Sequence, residues 1–394
     1  MQHFRALAES VKERLFHVRP EALDRASDPG LLAVALGATL YTPATRKDLA
    51  GGIRKQTAAG CVSTVICLED AVPDGEVPAA EENLLAALNE LAATDRPDEL
   101  PLIFIRCRTP EQLLDVGRRA GAALCAVYGF VLPKFENETG RARAFMEALQ
   151  QLNRDSGRAG DPQRPPLLAM PIIEDPATTH LESRVRVLTD NLALVNEFRA
   201  SVLCIRIGAT DMSSAFGLRR SRDLTIYHVK VVASVIGDIV NIFGRPEDGW
   251  VISGPVWEHF VNTERVLRPQ LRSTPFEAAN EGELRKRLLT ENLDGLIREI
   301  ELDQANGLLG KTVIHPSHVP VVHSLSVVSH EEYLDALDIA GDPGGGAKAS
   351  SYGNKMNEAK PHRAWAERTL LRARAFGVAR PGVTFVDLLE ASMR

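Results

Sequence analysis

The chain has 394 residues, more than the roughly 250 that one eight-fold βα barrel needs, so a single barrel with added segments fits better than two equal domains. A hydrophobic share of 44%, a charged share of 25% and a formal charge of -6 describe an ordinary globular protein with no basic surface for a nucleic-acid backbone. No apolar run approaches the roughly 20 residues of a membrane span, and Met1 to Phe16 carries charge where a secretory signal has an apolar core, so the cytoplasm is the expected location.

Phe4, Leu7, Val11 and Leu15 recur at helical spacing, which predicts an amphipathic N-terminal helical segment within residues 1–37, packed over part of the domain that begins at Ala38. From Ala38 the chain alternates β-rich runs with helical stretches. The runs are ATLYT, VSTVICL, LPLIFIR, YGFVLP, LLAMPII, VLCIRI, WVIS and TVIH, and eight of them with intervening helices predict a closed parallel α/β barrel, the TIM (β/α)8 fold, over residues 38–325. The stretch Asp223 to Phe243 is richer in Val and Ile than one buried face requires, which predicts cover on a second side, as by another subunit. Gly254 to Thr290 forms an enlarged loop after the seventh run. Beyond Leu325 the repeat ends, and a Gly-rich loop leads to a last helix from about Pro361 to Phe376. Residues 326–394 therefore read as a C-terminal extension, a lid or a subunit bridge. Five cysteines without Cys-x-x-Cys spacing read as buried free thiols.

Barrel chemistry comes from the carboxyl ends of strands, and ionisable groups recur there. The second run ends in Glu69-Asp70, the third in Arg106 with Arg108, the fourth in Lys134 and Glu136, the fifth in Glu174-Asp175, the sixth in Asp211 and the eighth in His315. Glu174 and Asp211 follow neighbouring strands, so they either share a hard divalent cation, magnesium being the natural one, or cap the helices that follow them. Arg106 has the planar fork to hold a substrate carboxylate, or to pair with Glu69 or Asp70. Lys134 pairs with a neighbouring acid or serves as a Schiff-base amine, and the acids around it argue against the second role. His315, His318 and His323 lack a nearby cysteine and read as hydrogen-bonding or turn-capping groups before zinc ligands. Ala305 to Thr312 fits a relaxed phosphate-loop pattern, an ATP or GTP site. Its order is reversed, however, with a helix before it and a strand after.

Seven blocks together resemble the citrate lyase beta subunit and its relatives in the HpcH/HpaI aldolase group, which includes malyl-coenzyme A lyases. They are LYTPATR (40–46), ICLEDAVP (66–73), FIRCR (104–108), GFVLPKFEN (129–137), PIIED (171–175), GATDMSSAFG (208–217) and GLLGKTVIHPSHV (307–319), in family order over about 280 residues. The insertions and the tail SYGNKMNEAKPHRAWAERTLLRARAFGV (351–378) resemble the carbon-carbon bond lyase branch of tellurium-resistance gene clusters.

The resemblance implies a magnesium-dependent carbon-carbon lyase or aldolase acting on a small hydroxy- or keto-carboxylic acid or its thioester, with manganese as the substitute ion. Glu174 and Asp211 would bind the metal, Arg106 would hold the substrate carboxylate, and Glu69 and Asp70 would organise the metal's water shell or the arginine. Pro43, Arg46 and Lys134 complete the implied substrate-binding set. Glu358, in Met356-Asn357-Glu358, corresponds to an acid that reaches an active site from the C-terminal segment, in some relatives that of a neighbouring subunit. The resemblance also implies a homo-oligomer, a trimer by expectation. Two departures qualify it. Arg108 stands where relatives have asparagine and adds positive charge, as for a further carboxylate or phosphate on the substrate, and the enlarged loop leaves coenzyme A recognition open. Two alternatives stand beside the lyase: a non-catalytic metabolite-binding barrel in a stress-resistance assembly, and a nucleotide-binding protein using residues 305–312.

Overall fold

The computed structural model describes residues 1–161, 164–260, 293–342 and 344–393. Eight parallel strands form one sheet: β1 (Ala38–Pro43), β2 (Ser63–Cys67), β3 (Leu102–Arg106), β4 (Val127–Leu132), β5 (Leu168–Ile173), β6 (Ile205–Ile207), β7 (Ile252–Ser253) and β8 (Lys311–Val313). Each pairs with its sequence neighbour, and β1 pairs with β8. A parallel bridge between Gly254 and Lys311 joins the far edges, with Thr312 N donating to Gly254 O at 3.1 Å, so the sheet closes into the expected barrel. These strands are apolar runs because both faces are covered, by helices outside and by one another's side chains within. All six residues of β4 and of β5 are buried.

The described helices are α1 (Glu9–Leu15), α2 (Pro29–Ala35), α3 (Leu49–Ala58), α4 (Val77–Thr94), α5 (Pro110–Ala120), α6 (Arg141–Asp155), α7 (Pro176–Thr179), α8 (Leu181–Glu197), α9 (Ala209–Ser214), α10 (Lys230–Phe243), α11 (Asp294–Ala305), α12 (His318–Ser326), α13 (His330–Ala340), α14 (Ala359–Phe376) and α15 (Phe385–Met393). Their starts are written locally. Asp28 accepts from Leu31 N ahead of Pro29, Thr109 from Gln112 N ahead of Pro110, and Ser329 forms a capping box with Glu332. Residues 261–292, most of the enlarged loop expected after β7, lie outside the described residues. Four of the five cysteines are buried as expected; Cys125 is exposed.

The helical spacing of Phe4, Leu7, Val11 and Leu15 is realised only from Glu9, because Phe4 adopts φ 57. Its apolar side meets Leu388 of α15. The barrel floor is instead covered by α2, whose Leu31 to Leu36 cluster with Val65, Leu102, Phe104 and Met170 and with Phe376 of α14. Residues after Ser326 therefore pack in part against the amino-terminal ends of the strands. There, His3 is buried, its Nε2 2.8 Å from Ala35 O, stacked on Phe376 with ring centroids 4.3 Å apart and edge-on to His323.

Burial holds the His3 imidazole down to about 4 against its ordinary 6.5. Neutral His3 thus stabilises the fold above pH 6.5, and that contribution is lost as pH falls through about 4, on the order of 3 kcal/mol for a shift of this size. Urea unfolding at pH 7 and pH 4.5 should show a smaller acid loss in His3→Gln than in the wild type; equal losses would remove His3 as a source of acid sensitivity.

Candidate active site

At the carboxyl ends of the strands the sequence places an acid or a cation on almost every turn, and the barrel brings six of them together. Arg106 closes β3 between Cys67 of β2 and Val131 of β4, so its side chain reaches over the mouth. Its Nη2 lies 2.6 Å from Glu69 Oε2, 3.3 Å from Asp70 Oδ2 and 3.3 Å from Glu174 Oε1. Lys134 Nζ lies 2.5 Å from Glu69 Oε1 and 3.5 Å from Asp70 Oδ2. Burial works against Arg106 and Lys134 as cations, yet the acids around them raise both above their ordinary values. Lys134 is therefore a fixed ammonium, the wrong state for a Schiff-base amine.

Glu174 is the most constrained of these groups. It follows β5 directly and is 2% exposed. Its Oε1 accepts from Lys134 N at 2.9 Å, and Lys134 adopts φ 48 to deliver that N–H, a left-handed backbone rarely tolerated without glycine. Its Oε2 faces Gly208, where a Cβ would come within 2.0 Å. Burial is the main force pushing its carboxyl up to about 8; Arg106 opposes the shift and the charge of Asp211 adds to it. Glu69 behaves oppositely, since Arg106, Asp70 and Lys134 outweigh its burial and hold it down at about 2.

Helix capping does not account for the acid pair. Asp175 caps α7, accepting from Ala177 N at 2.8 Å, which leaves Glu174 to the barrel mouth. The N-cap of α9 is Gly208, and Asp211 is the third residue of that helix, half-buried. Glu174, Asp211, Arg106 and Asp70 line one cavity of about 410 Å³ whose described wall comes from residues 41–314. Two carboxylates from neighbouring strands beside open space, the charge of Asp211 adding to the proton affinity of Glu174, fit a hard cation that completes its shell with water or substrate oxygens. A larger cavity, about 630 Å³, lies between the N-terminal segment and the starts of the strands, lined by Arg25, Tyr128 and Arg158, away from all of these groups.

The other sequence-selected residues divide. Pro43 lines the 410 Å³ cavity. Arg46 is exposed and lies over Gly52 of α3, outside that cavity. Arg108 turns back to brace the loop after β2, donating to Leu68 O at 2.8 Å, to Val72 O and to Asp74, and is not part of the cavity wall. Glu358 lies in a hairpin, Ala347–Ala349 with Met356–Glu358, between α13 and α14 and apart from this chain's own cavity. His315 Nδ1 is 2.8 Å from Ser317 Oγ and caps the turn before α12. One cavity residue escaped notice in the sequence: Arg206, inside β6, a cation in the run VLCIRI where only its parity could have marked it as inward.

Residues 30–378 match the model of a family described as carbon-carbon bond lyases of the TIM-barrel fold. The chain belongs to that family. It is accordingly a carbon-carbon bond lyase. Among solved structures, the lyase superposes on a citrate lyase from Burkholderia xenovorans with TM-score 0.62 and 18% identity, covering 92% of this chain and 98% of that one. It superposes on CitE from Mycobacterium tuberculosis, solved with magnesium, acetoacetate and coenzyme A, with TM-score 0.51 and 21% identity over 86% and 99%. At such identities these superpositions support the fold. Comparison with curated proteins gives no match. No helix among the described residues is long and apolar enough to cross a membrane.

The nucleotide reading of residues 305–312 is corrected by the place of Lys311. Its ammonium is wholly buried in β8, 3.0 Å from Glu299 Oε1 and 2.6 Å from Asp303 Oδ2, and the loop before it runs from the C-terminus of α11 into the strand, with no helix N-terminus to cradle phosphate. Arg220 pairs with the same Glu299, and Tyr227 donates to Asp303 at 2.8 Å. Lys311→Met strands two buried acids, so denaturant unfolding should show a loss of about 3–5 kcal/mol. ATP should leave the melting temperature of the wild type unchanged; protection by ATP that vanishes in Lys311→Met would reinstate a phosphate site.

Proposed function

We propose that the lyase uses a divalent magnesium ion held by Glu174 and Asp211 to cleave, or in reverse to form, the bond beside a hydroxyl-bearing carbon of a small carboxylic acid or its thioester. The observation that carries this reading is the nearly buried Glu174 carboxyl, pushed up by burial and by Asp211 while it lines the cavity and its second oxygen occupies the room that Gly208 leaves by lacking a Cβ. Such a carboxylate is costly without a cation and well suited to one. The Mycobacterium tuberculosis CitE of the same fold was solved with magnesium, acetoacetate and coenzyme A, ligands of the class proposed here.

When bound, the ion supplies Lewis-acid stabilisation of negative charge on substrate oxygen. The chain's own groups do the rest. Arg106, fixed by Glu69 and Asp70, orients the substrate carboxylate at the mouth, and one of its acid partners gives way as that carboxylate arrives. Lys134 holds Glu69 in place from the other side. Asp70, the most exposed acid of the cluster, with a proton affinity raised by its burial and by Glu69, is positioned to take the hydroxyl proton as the carbon-carbon bond breaks. Glu358 is not among the described residues lining this cavity.

Asp211→Ala should abolish magnesium binding in calorimetry while far-UV circular dichroism and melting remain those of the wild type; unchanged affinity would refute the assignment. Gly208→Ala should weaken magnesium binding by roughly ten-fold or more, because the added methyl displaces the Glu174 carboxylate as loss of a supporting group does at other metal sites. Wild-type affinity in Gly208→Ala would mean that Glu174 is not a ligand.

A further inference from the structure

Two arginines line the cavity, and their surroundings differ. Arg106 is matched by three carboxylates. Arg206, 1% exposed, is matched by none among the described residues. Its guanidinium reaches Thr312 Oγ1 at 2.5 Å, Thr39 Oγ1 at 3.3 Å and Met170 Sδ at 3.9 Å, with its Cζ 5.7 Å from the Tyr41 ring centroid and Nε without a partner. Every one of these groups is neutral. Taking a guanidinium out of water costs several kcal/mol, and hydroxyls recover only part of that. A structural ion pair would have offset part of the cost, as at Arg184 and Arg220, which are also buried and carry acids.

Its height in the barrel adds the geometry. Arg206 sits opposite Ile172 of β5 and Ser253 of β7. Glu174 lies two residues beyond Ile172, roughly 7 Å further along the strand direction. Arg206 therefore forms the floor of the same cavity whose rim carries Glu174, Asp211 and Arg106.

We infer that Arg206 is an anion anchor at the cavity floor and that the substrate is a small diacid, one carboxylate held at the rim near Arg106 and the second against Arg206. This rests on the lyase reading above and names its substrate class. The extra positive charge expected of Arg108 comes instead from Arg206, because Arg108 is spent on backbone carbonyls and Asp74.

Malate and lactate test it, since both are 2-hydroxy acids and malate carries one further carboxylate in place of a methyl hydrogen. In calorimetric titration of the magnesium-loaded protein, racemic malate should bind roughly ten-fold or more tightly than racemic lactate, the worth of one charge-assisted contact. Arg206→Met should remove that preference while lactate affinity stays within about two-fold of the wild type. Equal binding of the two acids by the wild type overturns the inference, whether or not the variant folds, and so does a variant that weakens both acids alike, since Arg206 would then act only through packing. Should Arg206→Met not fold, Arg206→Lys is used, and an unaltered malate affinity there counts against a forked contact. A magnesium titration without acid runs alongside. Intact magnesium binding with no malate preference removes the floor anchor and leaves the lyase reading standing. Absent magnesium binding removes the metal pair, and the malate preference is then read in metal-free protein.

Discussion

Keeping a carboxylate at the mouth of a barrel almost without water is the constraint around which the described site is organised. Glu174 is held there by one N–H from a residue in a left-handed conformation and by one edge of a guanidinium, while Asp211 stands near enough to oppose its ionisation. Neither contact neutralises it, because Arg106 is shared with Glu69 and Asp70. The remaining charge is what makes the pair suited to a divalent ion, and Gly208, with no Cβ, leaves the room that the second oxygen occupies.

Two ionic networks with opposite purposes lie in the same barrel. The rim cluster of Glu69, Asp70, Arg106 and Lys134 is partly exposed, at Asp70 and Lys134. The second, Arg220, Glu299, Asp303 and Lys311, is closed: every charge is buried and opposed, and it ties β8 to α11 and to the turn before α10. Asp303 is pushed up to about 6 by burial even so, with Lys311 and the Tyr227 hydroxyl holding it down. Exposure separates the two roles, since a charge that must meet a ligand needs a free side and a charge that only braces does not.

Arg206 belongs to neither network. It is as deeply buried as the brace yet has no counter-ion among the described residues, and it lines the same space as the rim. A cavity with a cation at its floor and two carboxyl groups at its lip is polar at both ends and apolar between, where Ile172 and Ile207 form the wall.

The order of the strands was legible from the chain alone, because a strand covered on both faces must be an apolar run; hence ATLYT to TVIH read correctly as eight staves. Glu174, Arg106 and Asp70 stood out for the same local reason, being charged residues just past apolar strands. What linear order does not carry is which way a long side chain turns and which distant group it meets. Arg108, two residues from Arg106 and alike in kind, folds back on a loop; Lys311, within a phosphate-loop pattern, is sealed between two acids of the preceding helix; Arg206, inconspicuous in its run, faces the cavity. Those outcomes depend on closing the sheet, which places groups tens to hundreds of residues apart within about 3 or 4 Å and lets Coulomb energy and desolvation choose among them.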